Sequence, residues 1–184
     1  RLAFGMVAAT IRRRAMRHED DMCDVFEAFV ADASSQPPGN RPMLKSFLRV
    51  VLKFLFRVEL FGDAAAFNNS RTLIVANHES FIDGLLIGLM MPVDAVFVVH
   101  SQIASRPGFA FLLRFVPHLA VDSTSPLAMK QIVKLVETGK PVVIFPEGRI
   151  TRTGSLMKVY DGPAFVAAKT GATVVPVRID GAAR

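Results

Sequence analysis

The sequence predicts an α/β domain, a mostly parallel β-sheet flanked by helices, with N-terminal amphipathic helices in front of it. Three observations carry this reading. Short apolar runs alternate with helix-length segments from residue 72 to residue 179. The 184 residues are 51% hydrophobic, with mean hydropathy +0.37, enough apolar material to cover both faces of a sheet. Two polar clusters, at 77–83 and 146–149, directly follow two of the predicted strands, and open parallel sheets place their chemistry there.

In chain order, residues 1–42 form an extension of unassigned role, helical over 4–32 and closed by a linker over 34–42, where Ser34-Ser35-Gln36-Pro37-Pro38-Gly39-Asn40 breaks any regular element. Residues 43–60 read as a basic amphipathic helix. Lys45, Arg49, Lys53 and Arg57 recur every fourth residue among Phe47, Leu48, Val51, Leu52 and Leu55, so the charges form one stripe. Gly62 is its stop. Residues 61–184 then form the sheet domain. Thr72 to Ala76 has the length and composition of a buried strand, and Gly84 to Met91 is a helix that Pro92 ends. Strand Ala95 to Val99, helix Gly108 to Phe115 and strand His118 to Val121 follow. Pro126 opens a helix that runs to Thr138, and Gly139 closes it. Strand Pro141 to Phe145, helix Pro163 to Thr170 and strand Thr173 to Ile179 complete the alternation.

Charge and composition narrow the partners. The chain carries 22 Lys and Arg against 16 Asp and Glu, a net charge of +6. No acid lies between Asp32 and Glu59, which concentrates positive charge on the helix of residues 43–60. That composition suits a membrane interface, where four basic side chains near an anionic leaflet contribute roughly 1 kcal/mol each. A surface helix packed on its own domain would show the same pattern. Nucleic acid is a poorer explanation, because there is one Tyr, no Trp and no reader motif. The longest apolar run, Leu85 to Val93, is too short to span a bilayer. The single cysteine, Cys23, excludes an internal disulfide and suggests a reducing compartment. Arg1 in place of Met suggests an excised or processed piece.

The cluster after the first core strand is Asn77-His78-Glu79-Ser80-Phe81-Ile82-Asp83. His78 and Asp83 are separated by a strand-to-helix turn, so the carboxylate can reach back to one imidazole nitrogen, fix the tautomer and stabilise the imidazolium. The other nitrogen is then free to act as a general base. A single H-x4-D pair also arises by chance, so the pair needs support from its surroundings. An H-E-x-x-H zinc site fails because position 82 is Ile, and no other metal-ligand spacing or cofactor motif is present. The G-x-S-x-G elbow and the G-x-x-x-x-G-K-[ST] loop are absent too. In Pro146-Glu147-Gly148-Arg149, a glycine beside an arginine can gather backbone N–H groups and a guanidinium on a phosphate, or can be a solvated turn. Arg114 stands in an apolar helix, where a charge must face water or a site.

Taken in order, N-H-x4-D at Asn77 to Asp83, G-x5-R at Gly108 to Arg114, F-P-E-G at Phe145 to Gly148 and V-P-V at Val175 to Val177 resemble the glycerolphosphate and lysophospholipid acyltransferases. The resemblance covers about residues 43–184. Phe145 to Gly162, Ser80 to Gly84 and Ala167 to Thr173 look more closely like the N-terminal half of the bacterial bifunctional 2-acylglycerophosphoethanolamine acyltransferase/acyl-acyl-carrier-protein synthetases. The family often has F-P-E-G-T-R, whereas here Arg149 directly follows Gly148, which leaves Arg149 and Arg152 as two candidates for phosphate. Ser123 stands where the family often has Arg.

The resemblance implies that His78 takes the proton from the free hydroxyl of a lysophospholipid as that hydroxyl attacks an acyl thioester, with Asp83 orienting the His. Glu147, Gly148 and Arg149 would hold the glycerophosphate head, helped by Arg114. The acyl donor would be acyl-acyl-carrier-protein or acyl-coenzyme A, with no bound cofactor and no metal. The implied setting is the cytoplasmic face of a bacterial inner membrane, peripherally bound, with a lysophospholipid transporter and an acyl-carrier-protein synthetase as fused or separate partners. The family domain continues beyond Val177, so a C-terminal truncation is expected. Three other readings remain open: a 1-acylglycerol-3-phosphate acyltransferase, a non-catalytic module that binds membrane or lysolipid, and a thioester hydrolase using water activated by His78.

Overall fold

The computed structural model describes residues 9–12, 46, 49–50, 53–54, 57–67, 69–80, 82–106, 109, 113, 116–122, 125–151 and 155–181. Among the described residues, seven strands form one sheet: β1 (Ala9–Arg12), β2 (Glu59–Phe61), β3 (Thr72–Ala76), β4 (Val96–His100), β5 (His118–Val121), β6 (Val142–Ile144) and β7 (Thr173–Asp180), in the spatial order β2-β1-β7-β3-β6-β4-β5. All neighbours are parallel except β1 and β2. The helices described over their whole length are α1 (Asp83–Met90), the single turn α2 (Ser101–Ala104), α3 (Pro126–Glu137) and α4 (Gly162–Thr170), and Phe109 and Leu113 are the described helical residues of the helix expected over 108–115. The α/β alternation expected from residue 72 onward is present.

The strands are apolar on both faces because both faces are covered. Leu73, Val142 and Ile144 point to one side, where Ile132 and Val136 of α3 and Val166 and Ala167 of α4 cover them. Ile74, Phe97, Val143 and Val175 point to the other side, against Leu86 and Ile87 of α1. Leu73, Ile74, Val142 and Val143 are wholly buried, and each such side chain stabilises the fold by about 1.5–3 kcal/mol. Capping follows the residue types. The Ser125 hydroxyl accepts from Leu127 N–H at the start of α3, where Pro126 needs no donor, and Gly171 ends α4 at φ +64°.

This topology makes the site. β3 and β6 are neighbours in register, with Val75 opposite Ile144, so the segments after residues 76 and 144 emerge side by side. The chain leaves β3 into α1 on one face, and it leaves β6 toward α4 on the other. The two connections therefore diverge and open a crevice between them, a topological switch point.

Several expectations need correction. Residues 9–12 lie within the expected helix 4–32 but form β1, which pairs in parallel with β7 and antiparallel with β2. These pairings satisfy backbone groups that β7 would otherwise leave open, and they outweigh local helical pattern. The helix of residues 43–60 is present at Ser46, Arg49, Val50, Lys53 and Phe54 but ends earlier than expected. Arg57 is non-helical at φ +45°, Val58 is buried, and Glu59–Phe61 is a strand. The basic stripe is split as well. The Arg49 Nε donates to Leu89 O at 2.6 Å and its guanidinium meets Met91 O at 3.5 Å, so Arg49 faces the carboxyl end of α1 rather than lipid. A cation there satisfies orphan carbonyls and complements the helix dipole. A 3₁₀ turn at Ala64–Phe67 and the turn α2 were not expected from sequence. Lys45, the linker 34–42 and the rest of residues 1–42 lie outside the described residues. Among the described residues no helix is long and apolar enough to cross a membrane.

Candidate active site

Asp83 opens α1 fully buried, which a carboxylate tolerates only when its oxygens are satisfied. Its Oδ2 accepts from Glu79 N–H at 2.6 Å and Ser80 N–H at 2.8 Å, and it lies 2.8 Å from His78 Nδ1. Its Oδ1 accepts from the Ser80 hydroxyl at 3.0 Å. The Ser80 Oγ in turn accepts from Ile82 N–H at 3.2 Å, closing the turn that brings residue 83 back beneath residue 78. With an acceptor-only carboxylate opposite Nδ1, that nitrogen carries the proton. Nε2 then holds a lone pair and has no partner among the described residues, on a side chain 19% exposed. The imidazole stacks on Phe145 with ring centroids 4.2 Å apart and an interplanar angle of 21°.

The main chain of His78 is held as firmly as its ring. His78 N–H donates to Glu147 Oε1 at 2.9 Å, and His78 C=O accepts from Thr151 N–H at 2.8 Å. Glu147 is 2% exposed, and its second oxygen, Oε2, accepts from Met157 N–H at 2.9 Å. One buried carboxylate thus joins the loop after β3, the loop after β6 and the segment leading to α4. Asn77 fastens the other side. Its side-chain amide donates to Ile179 O at 2.9 Å and accepts from Ile179 N–H at 2.7 Å, mimicking a strand residue beside β7.

Gly148 turns the chain at φ +64°, where a side chain is unfavourable, and a Cβ there would sit 3.4 Å from the Tyr160 ring. Arg149 follows, with its side chain exposed.

The structure therefore brings His78, Asp83, Glu147, Gly148 and Arg149 to one end of the sheet. Arg114 and Arg152 lie outside the described residues. Glu147 departs from the expectation that it meets a head group, because both its oxygens are taken by backbone donors in the interior. Asn77 and Thr151 hold the site and were not singled out from sequence. The Asn-His dipeptide is the available signal for Asn77, whereas Thr151 reaches His78 through its backbone N–H, which leaves no residue-type signal, and its hydroxyl donates to Ser155 O at 2.8 Å. Among the described residues no group of three His, Cys, Asp or Glu side chains is placed to hold a metal ion. A polar cleft of about 440 Å³ beside Arg71, Glu137 and Gly171 lies at the opposite end of β3 and β7.

A 1-acyl-sn-glycerol-3-phosphate acyltransferase of Cocos nucifera is 28% identical over 124 residues, covering 65% of this chain and 40% of its own. A chloroplastic enzyme of the same name from Brassica napus is 33% identical over 111 residues, covering 58% of this chain and 32% of its own. The chain thus spans less than half the length of these relatives. The solved structure of the 1-acyl-sn-glycerophosphate acyltransferase PlsC of Thermotoga maritima is 17% identical, covers 84% of this chain and 74% of its own, and has a TM-score of 0.47. The sequence pattern of the Acyltransferase family matches residues 57–180, which include both polar clusters and every strand from β2 to β7. On that match the chain belongs to the acyltransferase family.

Proposed function

We propose that this chain carries out O-acyl transfer to a lysophospholipid, taking a fatty acyl group from an acyl-carrier-protein or coenzyme A thioester. The preferred acceptor is 2-acylglycerophosphoethanolamine-like. The observation that supports the reading best is the His78–Asp83 pair, whose Nδ1 is bound to a buried carboxylate and whose Nε2 has no partner among the described residues on a partly exposed ring. In this reading Nε2 removes the proton from the acceptor hydroxyl as its oxygen attacks the thioester carbonyl. Asp83 stabilises the imidazolium. The tetrahedral intermediate collapses with loss of the thiolate, which takes the proton back from Nε2, giving ester and free thiol. No covalent enzyme intermediate is needed. Exposed Arg149 meets the phosphate, assisted by Arg114, and the Gly148 turn presents it. Glu147 acts as a positioning residue that sets the His78 backbone. The enzyme works peripherally at a membrane surface and uses neither metal nor nucleic acid.

A second acceptor, 1-acylglycerol-3-phosphate, is favoured by the activity named for the relatives. The deciding experiment crosses lysophosphatidylethanolamine, lysophosphatidylglycerol and lysophosphatidate with both donor types, for the wild-type chain and His78→Ala. Transfer by wild type and a loss of about 10²–10⁴ in kcat for the variant are expected. Retained turnover in His78→Ala would sink the mechanism. Lysolipid binding without transfer would indicate a binding module, and free fatty acid in the presence of acceptor would indicate a hydrolase.

A further inference from the structure

Isolated apolar side chains are ordinary on a protein surface, but a contiguous set bordered by one sign of charge is not. The segment leading into α4 concentrates exposed apolar side chains and basic residues within a short stretch of chain. Leu156 is 68% exposed, Val159 47%, Tyr160 56% and Phe165 54%, four large apolar residues within ten positions. Phe165 lies on the outer side of α4, whose neighbours Val166 and Ala167 fill the core. From residue 149 to residue 169 the sequence holds four basic residues and a single acid, Asp161. Lys158 lies over the Tyr160 ring, 5.5 Å from its centroid. That arrangement lets the ring and the lysine stem enter an apolar layer while the ammonium stays at head-group level.

We infer that Leu156, Val159, Tyr160 and Phe165, with Lys158, form a docking surface for an anionic lipid bilayer. This surface is distinct in sequence from the basic helix that includes Arg49 and Lys53. The excess of basic residues along the segment, with Lys158 over the Tyr160 ring, complements an anionic leaflet, and the amphipathic tips match a head-group interface. The patch is also coupled to the reacting pair. Met157 N–H is bound to Glu147, and Glu147 is bound to the His78 backbone, so seating this segment in lipid would set the crevice against the layer that holds the acceptor. This last point rests on the acyl-transfer reading, whereas the docking itself is measured without turnover.

The chain has no tryptophan, so Leu156→Trp creates a unique reporter. Its emission is read with the full chain and vesicles of phosphatidylcholine, with and without 30 mol% phosphatidylglycerol and with brominated lipid. A blue shift with anionic vesicles, and quenching by the brominated chains, are the expected results. Co-sedimentation tests the charge. Lys158→Glu should weaken binding to anionic vesicles roughly 30-fold, from about fivefold per unit of charge, while a thermal melt confirms that the variant is folded. Water-like emission on vesicle-bound protein would overturn the inference, because another surface would then carry the binding. So would a blue shift that depends on protein concentration alone, which marks contact between copies. A shift produced only by an acidic carrier protein would overturn it in favour of a protein partner. Failure of acyl transfer with intact docking would refute the proposed function and leave the surface standing.

Discussion

Glu147→Gln separates two roles for one carboxylate. In the wild type both oxygens accept backbone N–H groups at 2.9 Å, from His78 and from Met157, on a residue 2% exposed. Glutamine has the same shape but only one acceptor oxygen, so in either orientation its NH₂ group faces a backbone donor with little water to relieve it. The loss is one charge-assisted hydrogen bond plus an unsatisfied buried donor, about 3 kcal/mol. For a domain of this size that lowers Tm by roughly 6–12 °C. If Glu147 positions the His78 backbone, kcat falls by more than about tenfold while KM for the acceptor stays within about twofold, because the carboxylate does not touch the head group. The assay is a thermal melt together with full kinetics against acceptor concentration at a temperature where the variant is folded. A variant with Tm within about 2 °C of wild type and a raised KM would refute the reasoning, because it would put the carboxylate on the substrate.

Asp83→Asn keeps an oxygen on the side that receives three donors and can give its NH₂ group to the Ser80 hydroxyl. The chain should therefore still fold while kcat falls about 10²–10⁴. A loss under about threefold would dismiss the carboxylate from catalysis. Gly148→Ala adds a Cβ at φ +64° and 3.4 Å from the Tyr160 ring, so urea denaturation should show a loss of roughly 1–2 kcal/mol. Adding Tyr160→Ala should leave most of that loss in place, since the backbone strain does not depend on the ring. Arg49→Met removes the guanidinium from Leu89 O and Met91 O, and a stability loss of about 1–2 kcal/mol is expected by the same method. Unchanged stability would count against the seating of that helix on α1.

What was legible in the sequence follows the range of the interactions involved. Thr72–Ala76 and His118–Val121 have the bounds expected of them, because an apolar run of strand length between turn residues is local information. The His78–Asp83 spacing is local too, and the turn between them is built by Ser80 and by N–H groups of the same loop. β1 and β2 are not local. Their register pairs Thr10 with Phe61 and Arg178, and no periodicity within residues 9–12 announces partners so distant in sequence. Arg49 shows the same limit within one helix. The four-residue spacing predicts one basic stripe, but Arg57 leaves the helix at φ +45° and orphan carbonyls at the end of α1 turn Arg49 inward. Glu147 shows the same dependence on distant chain. In a list of residues a carboxylate beside Gly-Arg looks like part of a head-group site. Only the backbone of residue 157, folded across it, makes it interior.

The way His78 is held has a consequence for how the crevice works. Its N–H, its C=O and one ring nitrogen are all engaged, by Glu147, Thr151 and Asp83, and its ring face lies on Phe145. Two of these four contacts come from residues on either side of Gly148 and Arg149, and the third residue, Phe145, begins the same loop. His78 and the 147–151 turn are therefore parts of one hydrogen-bonded body, so on the proposed mechanism the base and the turn offered to phosphate do not have to meet on substrate binding. A base ordered beforehand needs no binding energy to orient it, which leaves that energy for aligning hydroxyl and thioester. It also means that a change in the 148–151 turn reaches the imidazole through the main chain. On the proposed mechanism, Arg149 is the described residue of the turn at which loss of head-group contact can be separated from loss of base geometry, because its side chain is exposed beyond this network.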